Sequence, residues 1–175
     1  TAYITQIKSW REDYGKKCQL VVYNQTNKPD YEGVINVMST VSDEGADAFA
    51  LVAWVSGAQA GCALNESCTN KIYDGEYTIV LNKSQTDLEN CIKNGEFVFH
   101  NVYGDARVLE DINSLTTTTE DKGEDFKSNQ TIRVVDQIAN DIARLFSTKY
   151  LGKIPNNASG RVSLWGDIVA HHREL

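Results

Sequence analysis

Apolar residues at Ile132, Val135, Ile138, Ala139, Ile142, Leu145 and Phe146 follow the i, i+3, i+4, i+7 spacing of one helix face. Asp136, Gln137, Asn140, Asp141 and Arg144 lie off that stripe, and Gly152 followed by Pro155 supplies a stop. The pattern predicts a long helix over 131–150 with one wet side. Upstream, the short apolar segment 107–112 predicts a strand, and four threonines and the acidic patch 120–125 predict a polar connection. The helix is expected to bury its stripe against the strand near Val108.

Earlier in the chain, Tyr3, Ile7, Trp10 and Tyr14 share one helical face, which predicts a first helix over 2–14 closed by Gly15. The β-branched run 20–23 predicts a strand covered on both faces, 27–30 a turn at Pro29, and 34–38 a second strand. Residues 46–60 are apolar nearly all round, so a helix packed on more than one side is expected, with Gly57, Ala58, Ala60 and Gly61 admitting another backbone closely. A strand over 77–81, a helix over 85–93 capped by Ser84 and ended by Asn94-Gly95, and a strand over 96–102 follow. Strands alternating with helices at this spacing predict a layered α/β fold with a largely parallel sheet. The composition shift at Gly104 places a boundary there, giving parts 1–103 and 104–175.

A chain of 175 residues, 41% apolar and 23% charged, is long enough to bury a real core and ordinary for a globular protein. The net charge of −7 and a pI near 4.9 argue against a general nucleic-acid binder. The charge is uneven: residues 1–127 carry eleven Lys/Arg against twenty Asp/Glu, a local −9, whereas 128–175 carry six against four, a local +2. No basic, apolar, small-residue leader follows Thr1. The apolar stretch 48–64 is shorter than the roughly 20 residues of a comfortable membrane span, so no membrane partner is expected. Five Asn-x-Ser/Thr sequons, at Asn24, Asn65, Asn82, Asn129 and Asn157, are read as chance without a leader.

Candidate chemistry is sparse. Cys18, Cys62, Cys68 and Cys91 lack paired zinc-ligand spacing, and His100, His171 and His172 lie far from them in sequence. The thiols are expected to be reduced, although Cys62 and Cys68 could bridge a loop in an oxidising compartment. Adjacent His171 and His172 point about 100 degrees apart on a helix and are expected to be solvated. Gly152-Lys153 follows a helix where a phosphate loop needs a strand. The acidic pairs Glu110-Asp111 and Glu124-Asp125 read as solvated faces. No catalytic, cofactor-binding or metal-ligating residue is assigned, and no cofactor is expected.

From Gly104 onward the chain resembles the C-terminal region of contractile phage tail sheath proteins, the type of Gram-positive phages, prophages and phage-tail-like bacteriocins. The resemblance rests on 108–117 (VLEDINSLTT), Lys122-Gly123, Phe126, Asn129, 132–134 (IRV), 136–142 (DQIANDI), 150–157 (YLGKIPNN), Gly160-Arg161 and 167–170 (DIVA). More loosely, Gly15-Lys16-Lys17, 31–35 (YEGVI), the stretch from Ala53-Trp54-Val55 to Gly61, and Tyr73-Asp74-Gly75 resemble the preceding sheath domain. Family members are longer at both ends, so the chain is expected to be a core and C-terminal piece without the terminal tail.

The resemblance implies an α/β core followed by a smaller α+β C-terminal sheath domain with a long docking helix. It also implies a non-enzymatic structural subunit in the virion tail sheath, assembled in the bacterial host cytoplasm. Its implied partners are other sheath subunits, joined into a helical homo-oligomer through terminal arms, together with the tail tube protein and the baseplate. Neither end reads as a free extended arm, so this chain alone is expected to be monomeric. Arg161 and Arg173 are expected among the tube-facing charges. An enzyme domain with a dispersed site and a secreted binding module are the alternatives.

Overall fold

The computed structural model describes residues 2–43 and 49–173. They form two compact units, 1–132 and 133–175. The first unit opens with α1 (Ala2–Glu12), followed by β1 (Leu20–Tyr23), β2 (Val34–Val37) and α2 (Phe49–Gly61). Next come α3 (Gln85–Lys93), β3 (Glu96–Phe97), β4 (Phe99–Val102) and β5 (Asp105–Val108). The division falls inside α4 (Asn129–Leu145), and the second unit continues through a π-helical turn, Phe146–Tyr150, to α5 (Ala158–His172).

The sheet is parallel, in the order β1-β2-β3, with Leu20 opposite Val34, Tyr23 opposite Val37 and Val37 opposite Phe97. Every residue of the central strand β2 is buried, as its continuous apolar character requires. Ile35, Val37, Phe97, Phe99 and Val108 meet Leu51 and Val55 of α2 in the main core. Burying each such side chain stabilises by about 1.5–3 kcal/mol. Trp54, Tyr73 and Phe99 add a ring cluster with centroids 5.1–5.7 Å apart. A second core joins Ile4 and Ile7 of α1 to Tyr31, Val34 and Leu20.

Several expectations needed correcting. Glu96 to Val102 is two strands, because β3 pairs in the parallel sheet while β4 pairs antiparallel with β5. Residues 77–81 form no strand: Ile79 makes one isolated bridge to Val41. The predicted 107–112 strand is β5, which begins at Asp105 and ends at Val108; beyond it Ile112 makes a single bridge to Ser128. The β4–β5 hairpin turns on Tyr103 (φ 54°) and Gly104 (φ 99°), the positive pair that a two-residue turn of right-handed twist demands. The composition shift at Gly104 therefore sits on a hairpin tip.

α1 is rotated from its expected face. Ile7 is buried, but Arg11 shares its side and donates from Nη1 to the Cys18 carbonyl oxygen at 2.8 Å, while Tyr3, Trp10 and Tyr14 are exposed. α2 buries one side only, through Leu51, Val55 and Gln59; a Cβ at Gly57 or Gly61 would meet nothing within 4 Å. The start of the predicted 46–60 helix, residues 46–48, lies outside the described residues. α3 matches its prediction residue for residue. The Ser84 hydroxyl accepts from the Asp87 N–H at 3.2 Å and the Asp87 carboxylate accepts from the Ser84 N–H at 3.1 Å, a reciprocal cap.

Candidate assembly surfaces and the polar strap behind them

Residues 109–117, which run from the predicted 107–112 strand into the threonines, form a strap that is buried at 111–115. Its amides bond across the first unit: Leu109 N–H to the Val98 carbonyl, Asn113 N–H to that of Lys127 and Ser114 N–H to that of Val34, all at 2.8–3.0 Å. Asp111, expected on a solvated face, is 3% exposed. Its carboxylate accepts from Gln59 Nε2 at 2.5 Å, the Cys68 N–H at 2.9 Å, Asn129 Nδ2 at 2.9 Å and Ser67 Oγ at 3.4 Å. One carboxylate thus ties α2, the 67–69 loop and the first turn of α4 together. Gln19 Nε2 donates to Asn129 Oδ1 at 3.4 Å and extends the network toward β1. Charged acceptors with several donors are the stronger class of hydrogen bond, so this hub fixes the relative placement of elements that share little apolar contact.

The rest of the strap is held as closely. Asn113 Nδ2 donates to the Phe126 carbonyl at 2.8 Å, and Ser114 Oγ donates to the Tyr31 carbonyl at 3.0 Å. Gly95, at φ 68°, lets the backbone cross the strap: a Cβ there would stand 2.9 Å from the Ser114 carbonyl carbon. Asp30 Oδ1 accepts from the Thr116 and Thr117 N–H groups at 2.7 and 2.9 Å. Burial alone would raise the Asp30 pKa, but those amides and the threonine hydroxyls outweigh it and hold the carboxyl well below its usual range.

In the second unit, α5 is fastened to α4 and the π-helical turn by polar bonds. Tyr150 donates its hydroxyl to Asp167 Oδ2 at 2.5 Å, Lys149 Nζ lies 2.6 Å from the same oxygen, and His171 Nε2 lies 2.9 Å from Asp141 Oδ2. His171, expected to be solvated, is therefore a clamp residue, whereas His172 is exposed. The bonds from Lys149 and Tyr150 lower the Asp167 pKa, and those from His171 and Gln137 lower that of Asp141. Gly152 (φ 71°) reverses the chain, and Asn157 caps α5 by accepting from the Gly160 N–H at 2.8 Å. Ile132 is buried in the first unit, but Val135 and Phe146 of the predicted stripe are exposed. On α5, Val162 and Trp165 are 68% and 67% exposed.

Among the described residues no group of three or more His, Cys, Asp and Glu side chains is placed to hold a metal ion. The four cysteines are free thiols; burial pushes the Cys91 thiol up to about 11. Asn129 is fully buried, so its sequon is inaccessible in the folded chain. No helix among the described residues is long and apolar enough to cross a membrane. What the surface of the described residues offers is contact area: the exposed aromatic residues of α1, Val162 and Trp165 of α5, and open grooves. One groove, of about 310 Å³, lies between the π-helical turn and the start of α5. Another, of about 440 Å³, runs beside the strap with Ile92, Ile112 and Leu115 lining it and charges of both signs on its walls, Glu110, Glu124 and Asp125 with Lys93 and Lys127, of which Lys127 pairs with Glu124 at 2.8 Å.

Residues 1–114 match the model of the phage tail sheath protein central domain, and residues 121–175 match that of the phage tail sheath C-terminal domain. The chain belongs to the phage tail sheath family. It is 31% identical over 159 residues to a tail sheath protein of Clostridium phage phiCD119, covering 89% of this chain and 44% of that protein. It is 36% identical over 146 residues to the phage-like element PBSX protein XkdK of Bacillus subtilis, covering 79% of this chain and 30% of that protein. A solved sheath tail protein from Desulfitobacterium hafniense, 38% identical, superposes on 99% of this chain with a TM-score of 0.89, over 41% of its own length. The chain thus spans less than half the length of these relatives. The strap and the 150–157 segment, which carry much of the sheath resemblance in sequence, are here the parts that fix the two units internally.

Proposed function

We propose that this chain is part of a structural subunit that polymerises helically around a tail tube in the virion tail sheath. Contraction of that sheath would drive the tube through a target cell envelope. The observation that carries the reading is the superposition of nearly the whole chain on a solved sheath tail protein at 38% identity. The internal construction supports it. A subunit that changes packing while keeping its shape needs elements locked to one another, and the Asp111 hub and the strap supply that lock. No step in this activity uses a catalytic residue, nucleotide or metal, and the subunit is proposed not to be an enzyme.

The proposed partners are further sheath subunits, linked through terminal arms in the full-length protein, together with the tube and the baseplate. Assembly takes place in the host cytoplasm, and residues 1–175 alone stay monomeric. Arg161 and Arg173 are proposed to face the tube; Arg161 stands exposed on α5 beside Val162. The division of labour between a core part and a C-terminal part belongs to the same proposal. The family models meet between Ser114 and Asp121, and the compact units between Ile132 and Arg133. Electron microscopy of the purified full-length protein tests the function: tubes or rings are expected, and a protein that stays monomeric at every concentration and salt tried would overturn it.

A further inference from the structure

The strap changes character at Thr116. Residues 111–115 are buried, whereas 117–121 and Gly123 are exposed and Thr116 and Lys122 are half-buried. Asp30 pins the near end of this loop, its Oδ1 accepting from the Thr116 and Thr117 N–H groups and, at 3.0 Å, from the Thr116 hydroxyl. Beyond the pin the loop bonds to itself: the Thr119 N–H donates to the Lys122 carbonyl at 2.9 Å, and the Lys122 N–H to Thr119 Oγ1 at 3.1 Å. From Thr118 to Lys122 a single hydrogen bond returns to the body of the first unit. Lys122 Nζ donates to Glu32 Oε1 at 2.6 Å and stands 5.6 Å from the centre of the Tyr31 ring.

That bond is set against a cost. Glu32 is 8% exposed, and its other carboxylate oxygen, Oε2, is buried with no hydrogen-bond partner among the described residues. The closed loop gives one oxygen an ammonium and strips water from the other, and an unpaired buried acceptor is destabilising. Opening hydrates both oxygens at the loss of one ion pair whose lysine side chain is 39% exposed, the class of pair that contributes little net stability. The other charges around Tyr31 belong to α1: Lys8 lies 4.9 Å from the ring centre, Glu12 bonds the Tyr31 hydroxyl, and Arg11 is bound to the Cys18 carbonyl. They hold the tyrosine in place whether the loop is open or closed.

We propose that residues 118–122 are a lid that opens and closes over Tyr31 and Glu32, with Lys122 as its clasp and Asp30 as its pin, while 109–115 stay fixed. A carboxylate beside an aromatic face is the chemistry that receives an ammonium or guanidinium group, and the closed lid fills that socket from within the chain. Residues 115–120 fall between the two family matches, so the lid sits where the core and the C-terminal part join. Its opening leaves the Asp111 hub untouched, because no residue of 118–122 bonds to it.

Hydroxyl-radical labelling of the full-length subunit, read by mass spectrometry at each tyrosine, tests the lid. Lys122→Gln should raise the labelling rate at Tyr31 about threefold, the change expected when a partly exposed ion pair is lost. Lys122→Arg, which keeps the charge and the reach, should label at the parent rate. Tyr150, buried in the second unit, should be unchanged in both variants, and amide exchange at Asn113 and Ser114 should match the parent. A Tyr31 rate in Lys122→Gln equal to the parent's would overturn the lid. So would a rise shared with Tyr150 or with the Asn113 and Ser114 amides, which would mean general loosening, or a Lys122→Arg protein that labels as fast as Lys122→Gln.

Discussion

Asp111→Asn removes one acceptor from the hub without changing its volume, so its cost isolates the polar part of the lock. The carboxylate oxygens receive Gln59 Nε2 and Asn129 Nδ2 on one side and the Cys68 N–H and Ser67 Oγ on the other. Whichever oxygen becomes an amide nitrogen, at least one buried donor then faces another donor. An unpaired buried donor costs about 1–3 kcal/mol, and lost bonds to a charged acceptor are at the upper end of the hydrogen-bond range. A total of about 2–4 kcal/mol is expected, a large share of the roughly 5–15 kcal/mol that a domain has. Urea unfolding followed by tryptophan fluorescence reads this as a fall of the midpoint by about 1–2 M, given a denaturant slope of about 1–3 kcal/mol/M. Glu110→Gln, exposed at the neighbouring position, is the control and should stay within about 0.5 kcal/mol of the parent. An Asp111→Asn midpoint equal to the control's would refute the claim that the carboxylate organises these elements.

Gly95→Ala should destabilise by more than about 1 kcal/mol, since it adds a left-handed penalty to a Cβ 2.9 Å from the Ser114 backbone; an unchanged melting temperature would count against the crossing. Gly160→Ala, with a Cβ 2.4 Å from the Pro155 carbonyl oxygen, should loosen α5, read as faster amide exchange there. Asp30, Asp141 and Asp167 have lowered folded pKa values, so their stabilisation is complete above the ordinary carboxylate pKa of about 4 and is lost as pH falls through the still lower folded values. Stability flat from about pH 5 to 7 and falling below about pH 4 is expected; loss centred above pH 5 would implicate other groups. Native thiol titration should find Cys18 and Cys62 faster than the buried Cys68 and Cys91, and all four should react after unfolding; fewer than four would reveal a bridge.

Where local chemistry decides a structure, the sequence was sufficient. Ser84 and Asp87 close a cap within four residues, and β1, α3 and the Gly152 stop lie where their patterns put them. Where a distant partner decides, it was not. A β-branched run at 77–81 has strand character, but among the described residues its pairing is one bridge long, Ile79 with Val41, closed by the Val80 N–H on the Thr40 carbonyl and the Ser42 N–H on that of Thr78. The α1 pattern favours an aromatic face, yet Arg11 is drawn inward by the Cys18 carbonyl, a bond no periodicity shows. In the strap, the pair Glu110-Asp111 looks solvated because it is charged, but Asp111, like Asn113 and Ser114, is buried, and each has a backbone or amide partner supplied from elsewhere in the chain. The family resemblance located that segment as important; only the hydrogen bonds explain what it does.

The most direct test of the central claim is electron cryomicroscopy of the full-length protein assembled in the extended and the contracted state. The sheath account predicts helical tubes in both, with residues 2–43 and 49–132 keeping one internal arrangement around Asp111 while the contacts between subunits change. Tubes in which the Asp111 hub breaks on contraction, or preparations that yield no helical order in either state, would contradict it.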